Sequence, residues 1–244
     1  MWYNISEDKE EQIISYLTNN IITTTKIIKQ KERFIMRTEC VMYNVYKYNE
    51  LSEDAKEKVK QWYLNGQEPD FFADDCEMDL ENLFGKNDLK VQFSLASCQG
   101  DGFNIYGKID AESILKCLES HNGGTQLEKF ENVLTEKEKK TILHYATECG
   151  DIELPMNSRY CYSLADYIDI ADDWETTLVY ADYRDINVKV LKKFEEMVRD
   201  IFRTLCRSYE KWGYEFFYEI ADDDLDEICE ANGYEFLEDG TMFL

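Results

Sequence analysis

The chain predicts an α+β fold, with several helices packed on a small, largely antiparallel sheet. Three observations carry this expectation. Two β-prone segments, residues 89–97 and 103–109, flank the short link Cys98-Gln99-Gly100-Asp101-Gly102, which suits an antiparallel pair. Long stretches with apolar residues at helical spacing surround them, the longest from residue 187 to about 212. Helices and strands do not alternate regularly, which argues against a parallel sheet built from βαβ units.

The elements follow in order. Residues 6–16 read as a short helix with Ser6 as N-cap and acids in the first turn. The β-branched run 21–28 reads as extended. Residues 40–48 alternate and read as a strand leading into a helix over about 52–64. A second helix, about 70–84, places Phe72, Cys76, Leu80 and Leu83 on one face. Residues 111–120 and 136–149 read as helices, and 160–185 is mixed. The long helix turns Leu191, Phe194, Val198, Ile201 and Leu205 inward. Residues 222–231 form a helix capped by Asp222, with Asp223 and Asp224 suiting its macrodipole. Glu238-Asp239-Gly240 closes a hairpin between 234–236 and 241–243. The domain expectation is an N-terminal extension over 1–37, loosely attached, and an acidic α+β domain over 38–244. A subdomain split near 122–135 is left open.

Charge is the outstanding compositional feature: 51 Asp and Glu against 27 Lys and Arg, a net of −24. A small domain needs a net charge of only about 2–8 for solubility. Duplex DNA carries one charge per ~1.7 Å of axis, so the excess corresponds to about 12 base pairs. Disorder is excluded, because 44% of residues are hydrophobic and 14% aromatic, enough to build a core. The eight cysteines show no C-x-x-C or Cys/His pairing, so neither a zinc site nor any other cofactor is expected. No stretch has the length of a membrane span or a signal peptide. The expectation is a cytoplasmic protein with reduced thiols.

Several segments together resemble a family of phage and prophage proteins of unassigned function, sometimes labelled antitoxin-like. They are Tyr48-Asn49-Glu50-Leu51-Ser52-Glu53-Asp54-Ala55-Lys56-Glu57-Lys58, Ser97-Cys98-Gln99-Gly100-Asp101-Gly102-Phe103, Arg159-Tyr160-Cys161-Tyr162, the helix 199–212, and Ala231-Asn232-Gly233-Tyr234-Glu235-Phe236-Leu237-Glu238-Asp239-Gly240. The resemblance spans about residue 38 to the end of the sequence. It implies a phage context and interference with a host system, and it supplies no catalytic residue.

Candidate sites follow from charge. Asp70, Asp74, Glu77 and Glu81 recur at helical spacing, on the side away from Phe72, Cys76 and Leu80. Their Cα atoms step by roughly 4.5–6 Å, comparable to charges along a nucleic-acid strand. Asp169, Asp172 and Asp173 lie among Tyr167, Trp174, Tyr180 and Tyr183, a pattern of aromatic anchors rimmed by charge. Asp226, Glu227 and Glu230 belong to a C-terminal tract, 213–244, with eleven acids and no Lys or Arg. Against these stands a basic stripe, Arg199, Arg203, Arg207 and Lys211. It suits either ion pairs with the protein's own acids or a phosphate-binding pocket. Gln99-Gly100-Asp101-Gly102 reads as a tight turn without a phosphate-loop signature. His121 and His144 lack an evident catalytic partner.

The functional expectation is a non-enzymatic, phage-encoded inhibitor of an anti-CRISPR or anti-restriction type. It would bind a host defence protein or nucleoprotein complex stoichiometrically, as an acidic mimic of nucleic acid, and would not itself bind nucleic acid or membrane. The alternative is a nucleotide-signal sponge or antitoxin-like protein binder using Arg199, Arg203 and Arg207.

Overall fold

Short polar side chains open four of the described helices. The Ser52 hydroxyl accepts the Ala55 N–H at 3.3 Å and opens α1 (Glu53–Asn65). Pro69, whose missing N–H costs nothing in a first turn, opens α2 (Pro69–Phe84). Asp110 accepts the Ser113 N–H at 2.7 Å and opens α3 (Ala111–Glu119). Thr135 and Glu138 form a reciprocal capping box at α5 (Glu136–Cys149), after the single turn α4 (Gly124–Leu127). The Asn187 side chain accepts the Val190 N–H at the start of α7 (Val188–Tyr218). The remaining helices are α6 (Ala171–Tyr180) and α8 (Asp222–Asn232).

The computed structural model describes residues 41–120, 123–157 and 159–243, together with Ser15 and Thr18. The chain divides into the units Met1–Asn44 and Val45–Leu244. In the first, Ser15 and Thr18 are helical. The rest of the helix expected over 6–16, and the extended run 21–28, lie outside the described residues.

The second unit is α+β, with its helices packed on a three-stranded antiparallel sheet in the order β1-β2-β3. Strand β1 (Lys90–Ser94) pairs with β2 (Gly102–Ile109) in a register that sets Val91 opposite Ile105 and Phe93 opposite Phe103. Strand β3 (Ile152–Leu154) pairs with the far end of β2, Lys108 opposite Glu153. Helix α7 is the spine of the unit. Leu191, Phe194, Val198, Ile201 and Leu205 are all buried, as their spacing predicts, in a core shared with the sheet, α2 and α6. Phe72 is wholly buried among Phe93, Phe103, Trp212, Phe216 and Phe217, with ring centroids 5.0–6.3 Å apart. Leu127, Phe130 and Leu134 lie in this same core, so it runs through residues 127–134.

A smaller cluster joins the two ends of the unit: Tyr48, Leu51, Ala55, Val59, Leu225, Cys229 and Phe236. Tyr46 and Phe236 exchange N–H···O bonds at 2.8 and 2.9 Å. Gly240 turns with φ +78°, and a Cβ there would stand 2.4 Å from the Ala55 carbonyl oxygen. Gly240→Ala should therefore cost about 1–3 kcal/mol. In hydrogen exchange, the loss of protection should concentrate in α1, α8 and the 234–243 turn. Uniform loss across the sheet and α7 would contradict this placement.

Several boundaries depart from the sequence expectation. The strand expected over 40–48 reduces to the single bridge at Tyr46, because the Lys47–Glu50 turn bends the chain at once, its Glu50 carboxylate accepting the Lys47 N–H at 2.9 Å. Cys40 lies outside the described residues. Strand β1 stops at Ser94 rather than Ser97, since Ser97 has φ +58° and the Ser94 hydroxyl donates to Asp101 at 2.6 Å. Helix α7 continues six residues past Trp212 because Phe216 and Phe217 pack on the core and the Tyr218 hydroxyl donates to the Leu95 carbonyl at 2.7 Å. Asp222 is not the cap of α8. Ala221 holds that position, and the Asp222 carboxylate pairs instead with Lys60 at 2.6 Å and accepts the Tyr48 hydroxyl at 3.3 Å. On α2, Phe84 completes the buried row and Leu83 packs beside it, half-buried.

Candidate functional site

The acidic groups expected from sequence lie on three helices, with Asp169 just before one of them, and differ in what they touch. On α2, Asp70, Asp74 and Glu81 are exposed and make no ion pair with any described residue. Glu77 turns toward the sheet. It pairs with Lys90 and accepts the Val91 N–H at 3.4 Å. The physical reason is the breadth of the buried face: at about 100° per residue, Glu77 falls at its edge, beside β1, rather than on the outward line.

That outward line belongs to two residues the charge pattern hid. Phe71 and Met78, two turns apart, are 64% and 58% exposed. Asp70, Asp74 and Glu81 border them on one side. Beside Met78, an open cleft of about 480 Å³ lies between α2 and α7, lined by Asp75, Met78, Asp79, Asn82, Gln126, Ser208, Tyr209 and Trp212. Asp79 accepts the buried Tyr209 hydroxyl there at 2.6 Å, and burial together with this carboxylate pushes the Tyr209 pKa far above the usual tyrosine range. Large apolar residues two turns apart and off the buried face of α2 were the available signal for Phe71 and Met78.

Around α6, Asp172 and Asp173 are exposed, and Asp169 accepts the Asp172 N–H at 3.2 Å. Partial burial and the neighbouring Asp169, Glu153 and Asp172 raise the Asp173 pKa above the ordinary aspartate value. On α8, Glu227 is exposed and in no ion pair among the described residues, whereas Asp226 accepts from Asn49 at 3.2 Å and Glu230 pairs with Lys47 at 3.4 Å. The members in no ion pair with a described residue, Asp70, Asp74, Glu81, Asp169, Asp172, Asp173, Asp226 and Glu227, therefore come from α2, α8 and the start of α6.

The basic stripe is largely engaged inside the protein. Arg199 pairs with Glu195 at 2.9 Å and donates to the Ile168 carbonyl at 2.8 Å. Glu195 is buried, and its other oxygen accepts the Ile170 and Ala171 N–H groups at 2.8 Å each, covering the first turn of α6. Arg203 bridges Asp166 and Asp200, and its guanidinium holds the Asp166 carboxyl below the usual aspartate range. Lys211 pairs with Glu215 at 3.1 Å, and Arg207 is exposed. A cleft of about 570 Å³ opens here, but Lys192, Arg199 and Arg203 share it with Asp166, Asp169, Asp172, Glu195, Glu196 and Asp200. A phosphate entering it would have to displace carboxylates from both arginines.

Four of the five motifs that carried the family resemblance meet in pairs. The Gln99–Gly102 turn docks on Tyr160–Tyr162: the Cys161 N–H donates to the Gly100 carbonyl at 3.1 Å, and the Tyr160 and Tyr162 rings stack at 5.7 Å. Asp101 braces the turn from within, accepting the Cys98 N–H at 2.7 Å and the Ser94 hydroxyl, which lowers its pKa. Likewise Lys58, from the first motif, pairs with Asp239 in the last at 2.8 Å. These segments read as joints of the fold. The described cysteines are all free thiols. Burial pushes Cys76 up to about 12, and Cys117, Cys149, Cys206 and Cys229 up to about 11. His144 lies exposed beside the Tyr145 and Tyr183 rings, and His121 is outside the described residues. Among the described residues no group of His, Cys, Asp and Glu is placed to hold a metal ion, and no helix is long and apolar enough to cross a membrane.

Comparison of the chain with family models, curated proteins and solved structures finds no match.

Proposed function

We propose that this protein is a phage-encoded inhibitor that binds a host defence protein or nucleoprotein complex stoichiometrically, in the bacterial cytoplasm, by presenting carboxylates to a basic nucleic-acid channel. The observation that carries this reading is the row Asp70, Asp74 and Glu81 on α2: exposed, in no ion pair with a described residue, on a chain with 24 surplus negative charges. Unpaired like charges cost the folded protein stability through self-repulsion. A cationic partner offsets that cost, and long-range attraction speeds the encounter. The chain itself is repelled by nucleic acid. The alternative of a nucleotide sponge is less favoured, because Arg199 and Arg203 already hold carboxylates.

The test is capture from a bacterial host lysate, with identification of the retained proteins by mass spectrometry. A nucleic-acid-binding defence protein should be retained at low salt, released by added duplex DNA, and weakened by raised salt, since exposed charges are screened within about 10 Å at 0.1 M. The variant Asp70→Lys/Asp74→Lys/Glu81→Lys should melt at or above the wild-type temperature and retain far less of that partner. Equal retention by the variant would remove α2 from the binding surface, and indifference to competing DNA would refute mimicry.

A further inference from the structure

We infer that α2 engages its partner through Phe71 and Met78 as well as through charge, and that the partner presents a basic amphipathic helix whose apolar side chain enters the α2–α7 cleft. This rests on the acidic-surface reading and adds the partner's chemistry to it. A purely electrostatic mimic has no use for a large aromatic and a thioether on its outermost line, where each exposes more than half its surface to water. Met78 lines a cleft with Tyr209 and Trp212 in its wall, and Phe71 lies two turns before it on the same exposed face. Aromatic and methionine anchors rimmed by charge are the usual make-up of a protein-binding patch.

Charge then selects the occupant. The patch carries Asp70, Asp74, Asp75 and Glu81, and Lys90, the base beside it among the described residues, is held by Glu77. A second copy of this chain, an anionic membrane or a nucleic acid would each bring further negative charge against it. A helix with Lys or Arg flanking an apolar stripe complements both features. The stripe covers Phe71 and Met78, one large apolar side chain fills the cleft, and the cations reach the carboxylates.

Two dye-labelled helical peptides of equal positive charge serve as probes, one of Leu and Lys with a single Trp, the other of Ala, Gln and Lys. Fluorescence anisotropy with the full chain should show the Leu/Lys/Trp peptide binding about tenfold more tightly, with that advantage persisting at raised salt. Phe71→Gln/Met78→Gln changes exposed positions to a good helix former, so its melting temperature should match wild type. It should lose the tenfold advantage while binding the Ala/Gln/Lys peptide unchanged. Asp70→Lys/Asp74→Lys/Glu81→Lys should weaken both peptides. If the glutamine variant keeps the full advantage, or weakens both peptides equally, the anchor assignment is wrong although the acidic surface stands. If wild type binds neither peptide at low salt, the acidic-surface reading itself fails, and this inference with it.

Discussion

Glu195→Ala should lower the melting temperature by about 10 °C, corresponding to a loss of roughly 3–5 kcal/mol in a domain of this size. The size of the effect comes from what one buried carboxylate holds. Its Oε2 atom accepts both the Ile170 and Ala171 N–H groups, and its Oε1 atom faces the Arg199 guanidinium. Removing it leaves two buried donors without an acceptor and a half-buried cation without a counter-charge. Glu195→Gln separates the two parts. Its amide oxygen can still accept at the start of α6, while the Arg199 pair is lost, so it should cost about 1–3 kcal/mol less than alanine. Equal melting temperatures for the two variants would show that the arginine pair, and not the backbone contacts, carries the stabilisation.

Phe72→Asp should abolish cooperative folding of the Val45–Leu244 unit, and Phe72→Ala should cost about 3–5 kcal/mol. Phe72 is wholly buried, and its ring touches residues from β1, β2 and the last two turns of α7. A carboxylate there meets only aromatic surface, with no donor to offset its dehydration. The contrast with Phe71, its sequence neighbour, isolates burial as the cause: Phe71→Gln should leave the melting temperature unchanged. Near-native circular dichroism and a cooperative melt for Phe72→Asp would mean that α2 does not close this core.

The sequence by itself determined the fold class, the inward row of α7, the antiparallel β1–β2 pair and the full span of α5. Each follows from interactions within a few residues: helical periodicity, a capping box, a short turn. It also determined that the chain carries far more acid than its own bases can neutralise. Which carboxylates remain unpaired was settled by tertiary contacts alone. Glu77 turned to Lys90, Glu230 to Lys47 and Asp222 to Lys60, partners 13 to 183 positions away. The arginine stripe was legible as a stripe, but Asp166 reaches Arg203 across 37 positions, a pairing no local pattern encodes. Phe71 and Phe72 are the clearest case. They are chemically identical, and only the rotation of α2 against the sheet and α7 buries one and exposes the other. Side-chain chemistry and spacing fix which faces a helix can offer, and packing of elements distant in sequence decides which of them meets solvent.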